Sequence, residues 1–445
     1  MFRTLVNAFK IKDIRKRLFY TIFALIIVRL GSQLPVPGTD PATFSEWFKG
    51  QLGGDAFNFL DAFTGGSFSS MSIFALGITP YIMASIIIQM LTLSIPKLEE
   101  MSREEDGHKK LNEATRYATI VLALLEAIGT AVGFGQQGLL NKTDGKAIDY
   151  ITVIVALTAG SAFVMWLGEQ ITEKGIGNGS SIILTINIAS RIPSDIGGLF
   201  SQFVTVEDKN IGAKILSAII IVGVILLVVI LTVLLNDGVR KIPVHYNGRS
   251  NNSRIAALGN TNNIPLRVNT AGVMPVIFAS SIMQFPVIIC NLFGVTPSSG
   301  WGMHVLRMLQ SSYWFGGNAS PMWYTLGLLL YVVMVIFFAY FYTAITFNPV
   351  LIADNLKKRG GFIPGVRPGR PTTEYLNNIL QYIIFIGAVG LFIVVTIPIV
   401  FNGVFAAQVT FAGTSLIIIV SVVLDSMRQV ETMMVERNYK GFLNS

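Results

Sequence analysis

The sequence predicts an all-α polytopic membrane protein of ten transmembrane helices, arranged as two inverted, pseudo-symmetric halves of five. Three observations carry that prediction. Of 445 residues, 52% are hydrophobic and only 13% charged, where a soluble domain carries about 25% charge. Apolar runs that match a bilayer core of about 30 Å, roughly 20 residues at 1.5 Å each, recur along the whole chain. The loops between them alternate between strongly and weakly basic. The 42 glycines suit helices that pack closely in lipid.

The N-terminal stretch from Phe2 to Arg17 is basic and amphipathic and lacks the small-residue exit of a cleavable signal, so the first span is expected to be retained. Spans are expected near 18–34, 72–95, 115–135, 149–171, 179–198, 213–236, 271–293, 322–347, 378–401 and 407–428. The stretch from Ser72 to Ile95 organises the rest. It is long enough to cross, yet Gly77 and Pro80 interrupt its outer half, and Gln89 and Thr92 make the other half partly polar. A shorter apolar piece, Phe57 to Phe68, with Gly65-Gly66 near its end, lies just ahead. Broken, partly polar helices persist at membrane depth only where protein or a water-filled cavity surrounds them. This segment is therefore expected to line something.

One set of loops collects Arg3, Lys10, Lys12 and Arg15 to Arg17 at the N-terminus, Lys97 to Arg116 after the second span, Arg240 to Arg267 after the sixth, Lys357 to Arg370 after the eighth, and Arg428 to Lys440 at the end. The other set holds few cations, Arg191 among them. The positive-inside rule then puts both termini in the cytoplasm. A prominent basic loop after the sixth of ten spans divides the chain into 1–198 and 199–445. Because five is odd, two such halves must cross in opposite senses, which makes an inverted repeat. The functional path of such folds lies between the halves.

Two cytoplasmic loops stand out. Residues 235–267 carry Arg240, Lys241 and Arg249 in an apolar and basic alternation that suits a projecting hairpin. Residues 355–373 hold Lys357, Lys358, Arg359, Arg367 and Arg370 among glycines and prolines that forbid a long helix. Both read as docking platforms for phosphates or acidic protein surfaces, or as topology-setting loops against anionic lipid. Within the spans, Arg29 lies near the outer end of the first, where it can snorkel. Glu126 lies mid-span and needs polar neighbours, a pore or a proton.

Cys290 stands alone, which excludes an internal disulfide, and the three histidines fall in or beside loops. No metal cluster, phosphate-binding loop or Ser/His/Asp set is legible, and Gly175 to Gly179 reads as a tight turn between helices. No cofactor, metal or catalytic residue is expected. A solute transporter with an inverted repeat remains a second reading, supported by the broken helix and Glu126. An intramembrane enzyme is a third, with no paired acids or nucleophile couple behind it.

Four motifs identify a family. Phe74 to Gln89 (FALGITPYIMASIIIQ), Trp166 to Gly179 (WLGEQITEKGIGNG), Val268 to Pro275 (VNTAGVMP) and Gly365 to Gly369 (GVRPG) resemble the SecY family, the channel subunit of the bacterial protein translocase. The likeness runs from about Asn7 to Gly441. It implies that the halves surround an hourglass pore pinched by Ile78, Ile82, Ser180, Leu184, Ile277 and Ile418. It implies a plug at 57–70, with Phe57, Asn58, Asp61, Phe63, Gly65 and Gly66, that blocks the outer funnel. It implies a lateral gate between the second and seventh spans, where Gln89, Glu126 and Asn269 are expected to form a polar cluster across the seam. By the same resemblance, the basic loops receive the ribosome or the motor ATPase SecA, with Arg240, Lys241, Arg249, Lys357, Lys358 and Arg367 as contacts. SecE, SecG, signal-bearing polypeptides and the lipid bilayer complete the implied partners, and the bacterial cytoplasmic membrane is the implied location.

Overall fold

The computed structural model describes residues 9–50, 61, 63–103, 107–136, 138–139, 146–203, 211–246, 262–292, 301–310, 313–314, 324–405 and 413–443. Its helices are α1 (Lys12–Gly31), α2 (Pro41–Gly50), α3 (Thr79–Ser94), α4 (Pro96–Arg103), α5 (Gly107–Gln136), α6 (Lys146–Lys174), α7 (Gly179–Phe203) and α8 (Ile211–Asp237). After a hairpin follow α9 (Met274–Leu292), α10 (Trp301–Leu309), α11 (Thr325–Thr346), α12 (Pro349–Lys358), α13 (Arg370–Phe405) and α14 (Gly413–Leu443). Each range expected to cross the bilayer overlaps one of α1, α3, α5 to α9, α11, α13 and α14. Among the described residues, five stretches are long and apolar enough to cross by themselves: Lys109–Gly135, Ile148–Lys174, Ala218–Asp237, Thr325–Lys358 and Arg370–Phe401.

The shorter apolar helices are Thr79–Thr92 and Met274–Val287, within α3 and α9. Local chemistry explains the first. Gly77 has φ +56°, a left-handed turn before the helix. Pro80 then occupies the first helical turn, where its missing N–H costs nothing.

The helices pack in two groups. The first group, α1, α3, α5, α6 and α7, packs on itself, as does the second, α8, α9, α11, α13 and α14. Between the groups, α5 meets α9, and α7 meets α8 and α14. Phe19, Phe23 and Leu30 on α1, and Ile219, Ile230 and Leu234 on α8, remain exposed, apolar faces that hydrocarbon can solvate.

The first basic loop forms the expected hairpin, β1 (Val239–Tyr246) against β2 (Asn262–Arg267), in register from Val239↔Arg267 to Val244↔Asn262. Ile242, Val244 and Leu266 point inward onto Leu356, Ile363, Leu376, Ile379 and Leu380. The second loop adds two features beyond the sequence reading. Asn348 caps α12 by accepting from Val350 N at 3.1 Å and Leu351 N at 3.3 Å, with Pro349 in the first turn. A two-residue strand, β3 (Gly361–Phe362), pairs with the other edge of β1 at His245↔Phe362, giving the order β2-β1-β3. The two loops therefore form one platform. A two-residue strand has no periodicity to read, and only its partner defines it.

Candidate functional site

At the meeting of the two groups, Leu184, Ile277 and Ile418 share one buried cluster with Phe63, Ile188 and Val276, and Ile82 packs against it. Ile78 belongs to the adjoining cluster with Ile183 and Leu167, against which Ile82 packs as well. The structure thus brings the proposed ring residues on α7, α9 and α14 together, with Ile82 joining them to Ile78. Ile82, Ser180, Leu184 and Ile277 also line a gap of about 20 Å³ with Tyr81, Ser85, Met274 and Phe278, room for about one water molecule. Asn178 Oδ1 accepts from Ser180 N at 3.1 Å and from Ser180 Oγ at 2.7 Å, so Asn178 caps the start of α7 and Ser180 sits in its first turn. Ser180→Ile is expected to extend an apolar side chain into the gap and lower resting ion conductance in planar bilayers. Unchanged conductance would remove Ser180 from the constriction.

Phe57 and Asn58 lie outside the described residues. Of the expected plug, Asp61 and residues 63–70 are described, and they contact α7 and α1. Asp61 is buried and ion-paired with Arg191 of α7, and it accepts from Ser69 N at 2.7 Å. Arg29 Nη1 donates to Gly65 O at 3.2 Å, Ser190 Oγ to the same oxygen at 3.4 Å, and Asn187 Nδ2 to Phe63 O at 3.4 Å. Phe63 belongs to the same buried cluster as Leu184, Ile277 and Ile418. These contacts make a polar network around Asp61, Phe63 and Gly65. Arg29, read as a snorkelling residue, and Arg191, counted only as an outer charge, are both part of it.

Gly65 is the closest point of that seat. It has φ +69°, and a Cβ there would lie 2.8 Å from Asn187 O and 2.9 Å from Arg29 Nη1. Gly65→Ala combines left-handed strain of about 1–2 kcal/mol with those contacts. It is expected to lift the plug and raise resting conductance several-fold; a tight resting channel would contradict the seating.

The expected polar cluster across the seam is corrected by the structure. Gln89 Nε2 donates to Ser85 Oγ of its own helix at 3.0 Å. Asn269 Nδ2 donates to Asn236 Oδ1 of α8 at 3.0 Å. Glu126 lines a different space, an apolar cavity of about 220 Å³ walled by α3, α5, α9 and Phe68, with Thr79 and Thr130 as polar neighbours. Short polar side chains satisfy themselves with the nearest partner, and neighbours on the same bundle are nearer than groups across the seam.

On the platform, Arg240, Lys241, Lys357, Lys358 and Arg367 are all exposed, while Arg249 lies outside the described residues. Gly365 (φ +81°) and Gly369 (φ +100°) bracket Arg367, turning the chain sharply on both sides of it. Thr372 Oγ1 donates to Arg367 O at 2.8 Å and fixes the loop. Outward on the sheet, His245 stacks on Phe362 at 6.0 Å between ring centres. No group of three His, Cys, Asp or Glu placed to hold a metal occurs among the described residues.

The SecY family model matches residues 72–427. The protein translocase subunit SecY of Halalkalibacterium halodurans is 39% identical over 451 residues, covering 100% of both chains. A solved SecY translocation channel, whose plug domain stabilises the closed state and maintains a membrane seal, superposes with a TM-score of 0.64 at 18% identity, over 95% of this chain and 92% of that one. Sec61 in the canine ribosome–channel complex from the endoplasmic reticulum gives 0.63 at 16% identity, over 95% and 93%. At such low identity the two structural likenesses bear on the fold alone.

Proposed function

This chain belongs to the SecY family of protein translocase subunits, which are protein-conducting channels, and from that premise we propose how its own residues conduct, seal and open. The halves 1–198 and 199–445 form an inverted repeat around an hourglass pore, with both termini in the cytoplasm of a bacterium and the chain in its cytoplasmic membrane. Ile78, Ile82, Ser180, Leu184, Ile277 and Ile418 form the waist. An apolar constriction dewets, so it resists ions yet yields to a chain pushed through it. The single observation that supports this reading is that Phe63, from the proposed plug, shares one buried cluster with Leu184, Ile277 and Ile418 of the proposed waist.

Opening is proposed in two directions. Release of the Asp61–Arg191 pair frees the path across the membrane. Parting of α3 and α5 from α9 opens the path into lipid, through which signal sequences and membrane segments leave. The apolar cavity beside Glu126 lies in that seam.

The energy for transport is proposed to come from a partner that docks on the platform. The three-stranded platform with exposed Arg240, Lys241, Lys357, Lys358 and Arg367 suits SecA or the ribosome, and the exposed apolar faces of α1 and α8 suit lipid and the small subunits SecE and SecG. The test is reconstitution with those subunits and the motor in sealed vesicles. Import of a signal-bearing polypeptide into a protease-protected space is expected. Uptake of small solutes with no polypeptide import would favour the transporter reading instead.

A further inference from the structure

A buried polar network at the cytoplasmic end of the second group has no part in the pore, the plug or the seam. Asn236 Nδ2 donates to Ser421 Oγ at 2.9 Å and to Thr232 O at 3.0 Å, while Asn269 donates to Asn236 Oδ1 at 3.0 Å. All three side chains are buried, at 6% exposure for Asn236, 5% for Asn269 and 1% for Ser421. They join α8, α14 and the junction between β2 and α9. Around them, Arg428 Nη2 donates to Asn236 O at 2.6 Å and Asp237 Oδ1 at 2.7 Å, and Arg267 Nη1 to Asp425 Oδ1 at 3.2 Å. The base of the hairpin is closed by Val268 N donating to Gly238 O at 2.8 Å. On the remaining side, Gly387 of α13 leaves no room for a side chain against the Val268 carbonyl.

The placement matters because the junction is short. Asn269 follows directly on the docking hairpin, and α9, one wall of the seam, begins at Met274. A partner that displaces the hairpin must either carry the start of α9 with it or break amide bonds away from water. Buried donors and acceptors left unmade are costly, so movement of α9 is the easier response. The outer ion pairs serve this poorly, since Asp237, Asp425 and Arg267 are half-exposed and salt screens them.

We propose that Asn236, Asn269 and Ser421 are positioning residues that couple engagement of the 239–267 hairpin to movement of α9 and so to opening of the seam. This rests on the docking role proposed above for that hairpin.

The test uses the full chain with its small subunits in vesicles, with Cys290→Ser and fluorophores on Ile87→Cys of α3 and Ile289→Cys of α9. Energy transfer between them reads the seam, and purified motor ATPase with nucleotide is the probe. With Asn236, Asn269 and Ser421 intact, motor is expected to bind and change the transfer. In Asn269→Ala, the motor-induced change is expected to fall by at least about fivefold at saturating motor, with the Kd for motor within about twofold. Ser421→Ala, which leaves the Asn236–Asn269 bond in place, carries the same test if Asn269→Ala folds poorly. A full transfer change in both variants overturns the coupling. A change lost only in proportion to motor binding also overturns it, because the residues would then merely fold the hairpin. Motor binding insensitive to removal of the hairpin's charges would fail the docking reading itself, and the coupling with it.

Discussion

Arg191→Ala is expected to leave the resting channel leaking ions. The substitution strands the Asp61 carboxylate, whose side chain is 2% exposed, on the plug's seat without its guanidinium. Removing one partner of a buried pair costs about 3–5 kcal/mol, and the 22% exposure of Arg191 discounts this to about 2–3 kcal/mol. That penalty falls on the closed state alone, since a displaced plug takes Asp61 away from α7. At about 1.4 kcal/mol per factor of ten, the closed-to-open ratio drops by about 30- to 150-fold. Single-channel conductance in planar bilayers without any partner reads this directly. The double variant Asp61→Leu with Arg191→Leu removes both charges and is expected to restore most of the seal, as apolar replacements of buried pairs commonly do. Resting conductance equal to wild type in Arg191→Ala would mean that the pair does not hold the plug.

Arg367→Glu is expected to lower motor-driven transport by about 100-fold, because a reversed charge at a docking contact costs several kcal/mol. The side chain is exposed and its loop is fixed by backbone features, the turns at Gly365 and Gly369 and the Thr372 bond to the Arg367 carbonyl. Folding is therefore expected to be unaffected, within about 0.5 kcal/mol of stability. Normal ATP-dependent import into vesicles would show that the platform is engaged elsewhere, with Arg240 and Lys241 as the next contacts to reverse.

The spans were legible because each apolar run is a property of its own residues. The shortness of α3 was equally local, written in Gly77 and Pro80. The hairpin could be read from the alternation around Ile242 and Val244, which face the core below it. What stayed hidden depends on partners distant in sequence. Asp61 meets Arg191 across 130 positions, and nothing near Arg191 distinguishes it from an ordinary outer charge. Asn269 was expected to reach across the seam, yet it pairs with Asn236, 33 positions earlier, because the hairpin between them returns the chain to its own bundle. The ring residues are aliphatic side chains on lining helices, and their chemistry alone cannot separate a gate from a core. Only the family resemblance marked them, and the structure adds their company with Phe63.

The central claim is that a polypeptide crosses at the waist. It is tested most directly with Ile82→Cys in a Cys290→Ser background, reconstituted with the small subunits and presented with a secretory polypeptide that bears one cysteine and is stalled in transit. An oxidant is expected to link the two chains when the substrate cysteine is at mid-transit, and not before the motor is energised. Efficient import with no link at any stall position would contradict the assignment of Ile82 and its neighbours to the path.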